Sequence, residues 1–160
     1  MPNLPFLVRQ GQIPKAYMKP LRLLLVSLAS LFCNVVFSQV CTVTVNITGL
    51  RTSKGTVYVS LYNQSDGYPK EHAKAFKVAH SVVLGNKCKI MFEGLPEGVY
   101  AVACYHDEND NGKIDTNFLG IPKEGTGASN NAKGFMGPPS FNSAQFKVAA
   151  NITEEIQIYY

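Results

Sequence analysis

From Thr42 to Thr48 the chain alternates one for one, with Val43, Val45 and Ile47 separated by Thr44 and Asn46. A period of two puts every second side chain on the same face of an extended strand, so this stretch reads as a half-buried strand and not as a helix. The pattern returns at Val57, Val59 and Leu61, with Tyr58, Ser60 and Tyr62 opposite, and again at Phe76, Val78, Val82 and Leu84. It continues through Cys88, Ile90 and Phe92 and ends with Phe146, Val148, Ile152, Ile156 and Ile158. Gly49, Ser53-Lys54-Gly55 and Gly85-Asn86 supply turn chemistry between these runs. The spacing predicts an all-β fold, a two-sheet antiparallel β-sandwich of about seven strands, prealbumin-like or immunoglobulin-like, with one long Gly/Asn/Pro-rich loop.

Two connections can be placed on that frame. Gln64 to Lys74, broken by Gly67 and Pro69, reads as a crossover between the sheets with a helical turn after Pro69. Phe92-Glu93-Gly94-Leu95-Pro96-Glu97-Gly98-Val99-Tyr100 reads as a tight corner, with the Tyr100 phenol bonding back to the corner backbone. His80 falls in the inward phase of its run, where a lone histidine is more often a satisfied, partly buried residue than a ligand.

The N-terminal end calls for a different reading. Leu21 to Phe37 is an apolar run preceded by Lys19 and interrupted by Ser27, Ser30 and Asn34, short for the roughly 20 residues of a membrane span. Its basic front edge and the Val36-Phe37-Ser38 end predict a signal peptide over residues 1–38, cleaved between Ser38 and Gln39. Met18 opens a leader of conventional proportions, so residues 1–17 are an over-extended start or a long n-region. Phe32 before Cys33 is too large for a lipidation signal. The expected protein is therefore a single secreted domain over residues 39–160, periplasmic or extracellular, with no membrane span after cleavage.

Charge follows from that trimming. The whole chain carries a formal +4, but Arg9, Lys15, Lys19 and Arg22 belong to the leader, which leaves eleven basic against eleven acidic residues. Such a surface lacks the basic footprint of nucleic-acid binding. Cys41, Cys88 and Cys104 remain in a disulfide-permissive compartment, and their odd number leaves at least one unbridged. Cys88 and Cys104 both point inward by phase. Either they form a bridge worth roughly 3 kcal/mol in the chain-entropy model, or they are buried free thiols.

The sharpest chemical motif is Asp107-Glu108-Asn109-Asp110-Asn111-Gly112-Lys113-Ile114-Asp115. A hard cation such as calcium wants several oxygens around a tight loop: side chains at positions 1, 3, 5 and 9, a carbonyl at 7 and glycine at 6. Asp107, Asn109, Asn111 and Asp115 fill the side-chain positions, Lys113 the carbonyl position and Gly112 the turn. Phe118 stands where the twelfth-position glutamate would be, and Glu124 is a candidate for the sixth oxygen. The competing reading is a plain turn, in which the same Asn and Asp side chains bond their own backbone.

No catalytic residue set is expected. Ser129 lacks the last glycine of a nucleophile elbow, because Asn131 occupies that position, and His72, His80 and His106 are too scattered for a zinc set. A small hydrolase working around His106, Ser129 and Asn130 is the alternative. Phe118, Ile121 and Phe141 are expected to fold the long loop onto the sandwich, with the amides of Asn117, Asn130 and Asn131 as internal clips. Sequons at Asn46, Asn63 and Asn151 matter only in a glycosylating pathway. The function expected is that of a non-catalytic binding or structural module with an unidentified protein or glycan ligand in the envelope.

Several motifs in order carry a resemblance. Gly49-Leu50-Arg51 with Lys54-Gly55, the Phe92 to Pro96 corner, His106-Asp107-Glu108-Asn109 with Asn111-Gly112-Lys113, Leu119-Gly120-Ile121-Pro122, Ser129-Asn130-Asn131-Ala132 and Gly137-Pro138-Pro139-Ser140-Phe141 resemble the bacterial secreted family of domain of unknown function 2141. That resemblance implies an exported single-domain protein and brings no catalytic residues. The Gly-Leu-Pro-x-Gly-x-Tyr corner is more loosely similar to transthyretin-like and carboxypeptidase-regulatory-like sandwiches, mostly non-catalytic modules. The branch of those that hydrolyses hydroxyisourate ends in Tyr-Arg-Gly-Ser, whereas this chain ends Ile158-Tyr159-Tyr160.

Overall fold

The computed structural model describes residues 40–160. The expected leader, including Cys33, lies outside the described residues. Eight strands form two sheets. Strands β1 (Val40–Thr48), β4 (Cys88–Pro96) and β8 (Ile152–Gln157) make a three-stranded sheet in the order β4-β1-β8. Strands β2 (Thr56–Tyr62), β3 (Lys77–Val82), β5 (Gly98–Asp107) and β6 (Gly125–Ala128) make the second, in the order β3-β2-β5-β6. Strand β7 (Phe146–Val148) pairs with the beginning of β5 and completes the five strands of that sheet. All pairs are antiparallel except β1 with β8.

The alternation in β1 becomes a core. Val43, Val45 and Ile47 are buried and face Val57, Val59 and Leu61 of β2, with Ile90, Phe92 and Ile156 completing the cluster. Full burial of each Val or Leu contributes about 1.5–3 kcal/mol. The corner also forms as expected: β4 and β5 lie in different sheets, and the Tyr100 hydroxyl donates to the Pro96 carbonyl at 2.9 Å. Opposite Thr42, the β1–β4 register slips by one residue, and Gly94 at φ 66° lies in the extra stretch of a β-bulge. Cys41, Cys88 and Cys104 are free and buried, so the bridge reading is not the one adopted. Burial pushes the Cys88 thiol up to about 11 and moves Cys104 in the same direction.

Four expectations need correction. The segment between β2 and β3 joins neighbouring strands of one sheet, so it arches over that sheet's outer face instead of crossing to the other. It carries a 3-10 turn at His72–Lys74. Tyr68 in this arch meets the Tyr62 ring edge-on at 5.2 Å and donates to the Val102 carbonyl at 3.3 Å. Ser60 and Tyr62, expected to face solvent, are therefore buried. Helix α1 (Phe141–Ala144), capped by Ser140, adds to the cover, and Phe141 packs against Tyr68 as expected.

The second correction concerns β3. Its pairing with β2 sets Ala79 opposite Val59 and Ser81 opposite Val57, which puts these small residues on the inner face. A one-residue offset turns every side chain over, so Val78, His80 and Val82 are exposed and His80 lies against the Tyr58 ring at 5.6 Å. Third, the long loop contains β6, whose Gly125 and Gly127 leave no room for a Cβ against Ile158, Tyr160 and Ile156. Fourth, Phe118 and Ile121 do not fold onto the sandwich and remain exposed.

The corner hydrogen bond supplies a direct check. Tyr100→Phe keeps the buried ring and removes only the bond to Pro96, so the expected cost is about 1 kcal/mol. Urea unfolding should show a lower midpoint at unchanged slope, and a midpoint equal to wild type would contradict the role given to the phenol.

Candidate functional site

Strand β5 runs between β2 and β6, so its last residues, His106 and Asp107, are fully buried before the chain enters the loop. An irregular segment leaving such a place has backbone N–H groups without ladder partners. Asp107 meets that need: one carboxylate oxygen accepts from the Asn111 N–H at 3.1 Å and the other from the Gly112 N–H at 2.7 Å. Asn109 Oδ1 accepts from the Asn111 N–H at 3.2 Å, and Asn111 Oδ1 from the Lys113 N–H at 3.0 Å. Gly112 takes φ 80°, the left-handed region that such a tight turn demands.

Two further carboxylates close the ring. Asp115 accepts the Asn109 side-chain amide at 2.7 Å and that of Asn111 at 3.1 Å. Glu124, buried just before β6, accepts from the Glu108 and Asp115 N–H groups, each at 2.9 Å. The structure thus brings Asp107, Asn109, Asn111 and Asp115 together and adds Glu124 at the base. Lys113 contributes its backbone N–H and keeps its side chain exposed, and Phe118 takes no part. Beyond the ring, Asn117 Oδ1 accepts from the Leu119 and Ile121 N–H groups and holds the tip in shape.

This donor set offers oxygen alone, which suits a hard cation rather than zinc. Each carboxylate oxygen here already accepts one hydrogen bond and has a second lone pair. Among the described residues, Asp107, Asp115 and Glu124 have no salt-bridge partner, and no group of three or more His, Cys, Asp or Glu side chains is arranged to hold a metal. A cation at this loop would have to draw on the amide oxygens of Asn109 and Asn111.

The hydrolase candidates are committed elsewhere. His106 Nε2 donates to the Lys54 carbonyl at 2.7 Å, which leaves Nδ1 to accept from the Tyr160 hydroxyl at 2.7 Å. Ser129 Oγ donates to the Ala144 carbonyl at 2.5 Å and accepts from the Val102 N–H at 2.9 Å. Asn130 donates to the Gln145 carbonyl, while Asn131 donates to the Glu155 carbonyl and accepts from the Gln157 N–H. His106 pairs with Gly125 at one end of β6 and Ser129 follows the other end, about 13 Å away along the strand.

A model of the family described as "Uncharacterized protein conserved in bacteria (DUF2141)" matches residues 45–157. The chain belongs to the DUF2141 family. No curated protein and no solved structure matches it. Sequence reasoning left Arg51 and Glu108 without a role. Arg51 forks onto the Glu108 carboxylate, its guanidinium lies 4.2 Å from the centre of the Tyr160 ring, and its N–H donates to the Tyr160 hydroxyl at 3.1 Å. This cluster ties the first turn, the loop and the C-terminal residue together.

The Arg51 guanidinium holds the Glu108 carboxyl below its ordinary value. The unfolded chain takes up that proton first, near about pH 4.3, so the pair's contribution is present above that pH and is lost as pH falls through the lower folded value. Glu108→Gln should flatten this acid limb in urea unfolding between about pH 3 and pH 6. A limb identical to wild type would show the pair to be thermodynamically silent.

Proposed function

We propose that the chain is an exported, non-catalytic binding or structural module of the bacterial envelope, stiffened by calcium at the Asp107–Asp115 loop, with a protein or glycan ligand. One observation carries the non-catalytic part. Among the side chains with catalytic potential in the loop region, His106, Ser129 and Asn131 spend their polar atoms on backbone or on Tyr160, and Asn130 spends its amide nitrogen on the Gln145 carbonyl. A hydrolase would need them convergent and open to substrate.

The calcium part is supported by charge. Asp107 and Glu124 are buried carboxylates compensated by N–H dipoles alone, with Asp115 beside them, and a cation would complete their neutralisation. Asp107, Asn109, Asn111, Asp115, Glu124 and the Lys113 carbonyl would hold it, and the ion would serve to rigidify the loop. With only two carboxylates, Asp107 and Asp115, at the loop's ligand positions, affinity should fall on the order of 10⁻⁴ to 10⁻³ M, as in extracellular modules.

Calorimetric titration of the purified chain with calcium tests this reading. Saturable heat in that range is expected, abolished in Asp115→Asn, together with a thermal stabilisation of about 2.7 kcal/mol when calcium reaches a hundredfold excess over its dissociation constant. Neither heat nor stabilisation at about 10 mM calcium, well above the expected constant, would remove calcium from the proposal.

A further inference from the structure

Two turns of the long loop hold apolar side chains out in water. At the first, the Asn117 N–H donates to the Ile121 carbonyl at 2.8 Å and the Gly120 N–H to the Asn117 carbonyl at 3.0 Å. Its apex carries Phe118 and Leu119, 94 % and 68 % exposed. At the second, a Cβ on Gly134 would collide with the Gly137 and Pro138 carbonyls, so the chain folds tightly back on itself. That apex carries Phe135 and Met136, 100 % and 93 % exposed. Phe118, Phe135 and Met136 are the three most exposed large apolar side chains among the described residues. Both turns are closed by their own backbone, so these side chains are presented and cannot fold back to find cover.

Each turn grades from apolar to basic. No charged side chain lies between Thr116 and Pro122, and Lys123 follows; none lies between Gly134 and Phe146, and Lys133 precedes. Among the described residues neither lysine is in a salt bridge. The two roots are fixed beside adjacent residues. Arg51, stacked on Tyr160, donates to the Lys123 carbonyl at 3.5 Å, and the Lys133 ammonium lies 3.7 Å from the centre of the Tyr159 ring. Of the neighbouring carboxylates, Asp107, Asp115 and Glu124 are turned onto N–H groups and Glu108 onto Arg51, which leaves Asp110 exposed. A convex apolar apex backed by an unpaired cation matches a bilayer surface, where the ring reaches the acyl boundary and the ammonium stays among the phosphates. A protein partner would have to supply two separate sockets, each with its own anion. We propose that the Phe118-Leu119 and Phe135-Met136 apices dock the domain peripherally on anionic phospholipid. This contact is separate from any protein or glycan ligand and does not depend on calcium.

The chain contains no tryptophan, so a single introduced indole reports its own surroundings. Because the Leu21 to Phe37 run is itself apolar, insertion is read at the apices and not from binding of the whole chain. With vesicles of phosphatidylethanolamine and phosphatidylglycerol, the emission of Phe118→Trp and of Phe135→Trp should shift to shorter wavelength and be quenched when the acyl chains are brominated. Met91→Trp, on the outer face of the smaller sheet, should do neither. Adding Lys123→Gln/Lys133→Gln to either apex reporter should raise the lipid concentration at half-maximal shift about fivefold per lysine. Phosphatidylcholine vesicles, which carry no net charge, should require a similar excess of lipid. Unshifted emission at both apices, which loops that dock on a protein would give, an equal response at Met91→Trp, or a half-point indifferent to the lysines would each overturn the proposal.

Discussion

The arrangement rests on one requirement: the backbone between the end of β5 and the start of β7 must find hydrogen-bond partners largely without a ladder. That stretch supplies only the four residues of β6 as strand. Turn bonds such as Lys123 N–H to the Asp115 carbonyl satisfy part of the rest, and side chains add to them, led by Asp107, which stands at the mouth of the loop and takes two N–H groups on its two oxygens. Glu124 repeats the device from the other end, and Asn117 does the same at the tip. A buried carboxylate is tolerated here because several N–H dipoles converge on it.

The same requirement governs what the loop region can do. A hydroxyl or imidazole fully bonded to its own fold is a poor nucleophile or base, and His106 and Ser129 are in that condition. Carboxylates bonded only to N–H groups keep lone pairs and negative charge, which is why a hard cation fits the proposal better than a covalent mechanism does. Arg51, Glu108 and Tyr160 form a separate electrostatic clamp that fixes where the loop leaves the sandwich.

Much of the fold was legible in the sequence because two-residue alternation directly encodes which face is buried. The residues of β1, the inner face of β2 and the inward side of β4 all followed from it, and the Tyr100 corner followed from Gly94, Pro96 and Gly98. Strand β3 misled because its apolar residues face outward, and periodicity fixes alternation but not which face is the core. Strand β6 was hidden because Gly125 and Gly127 read as loop, although their lack of a Cβ lets Ile156, Ile158 and Tyr160 close over them. In the candidate site, the Asp107 to Asp115 spacing was visible. Contacts joining residues far apart in the chain, such as Arg51 to Glu108 and Tyr160, left no mark in any local pattern.

Amide hydrogen exchange at Glu108, Gly112 and Asp115 tests the central claim most directly, because these N–H groups lie outside the regular strand ladders and are held only by Asp107 and Glu124. Protection comparable to that of amides inside β5 is predicted for all three. Exchange at the rate of exposed loop amides would contradict the account.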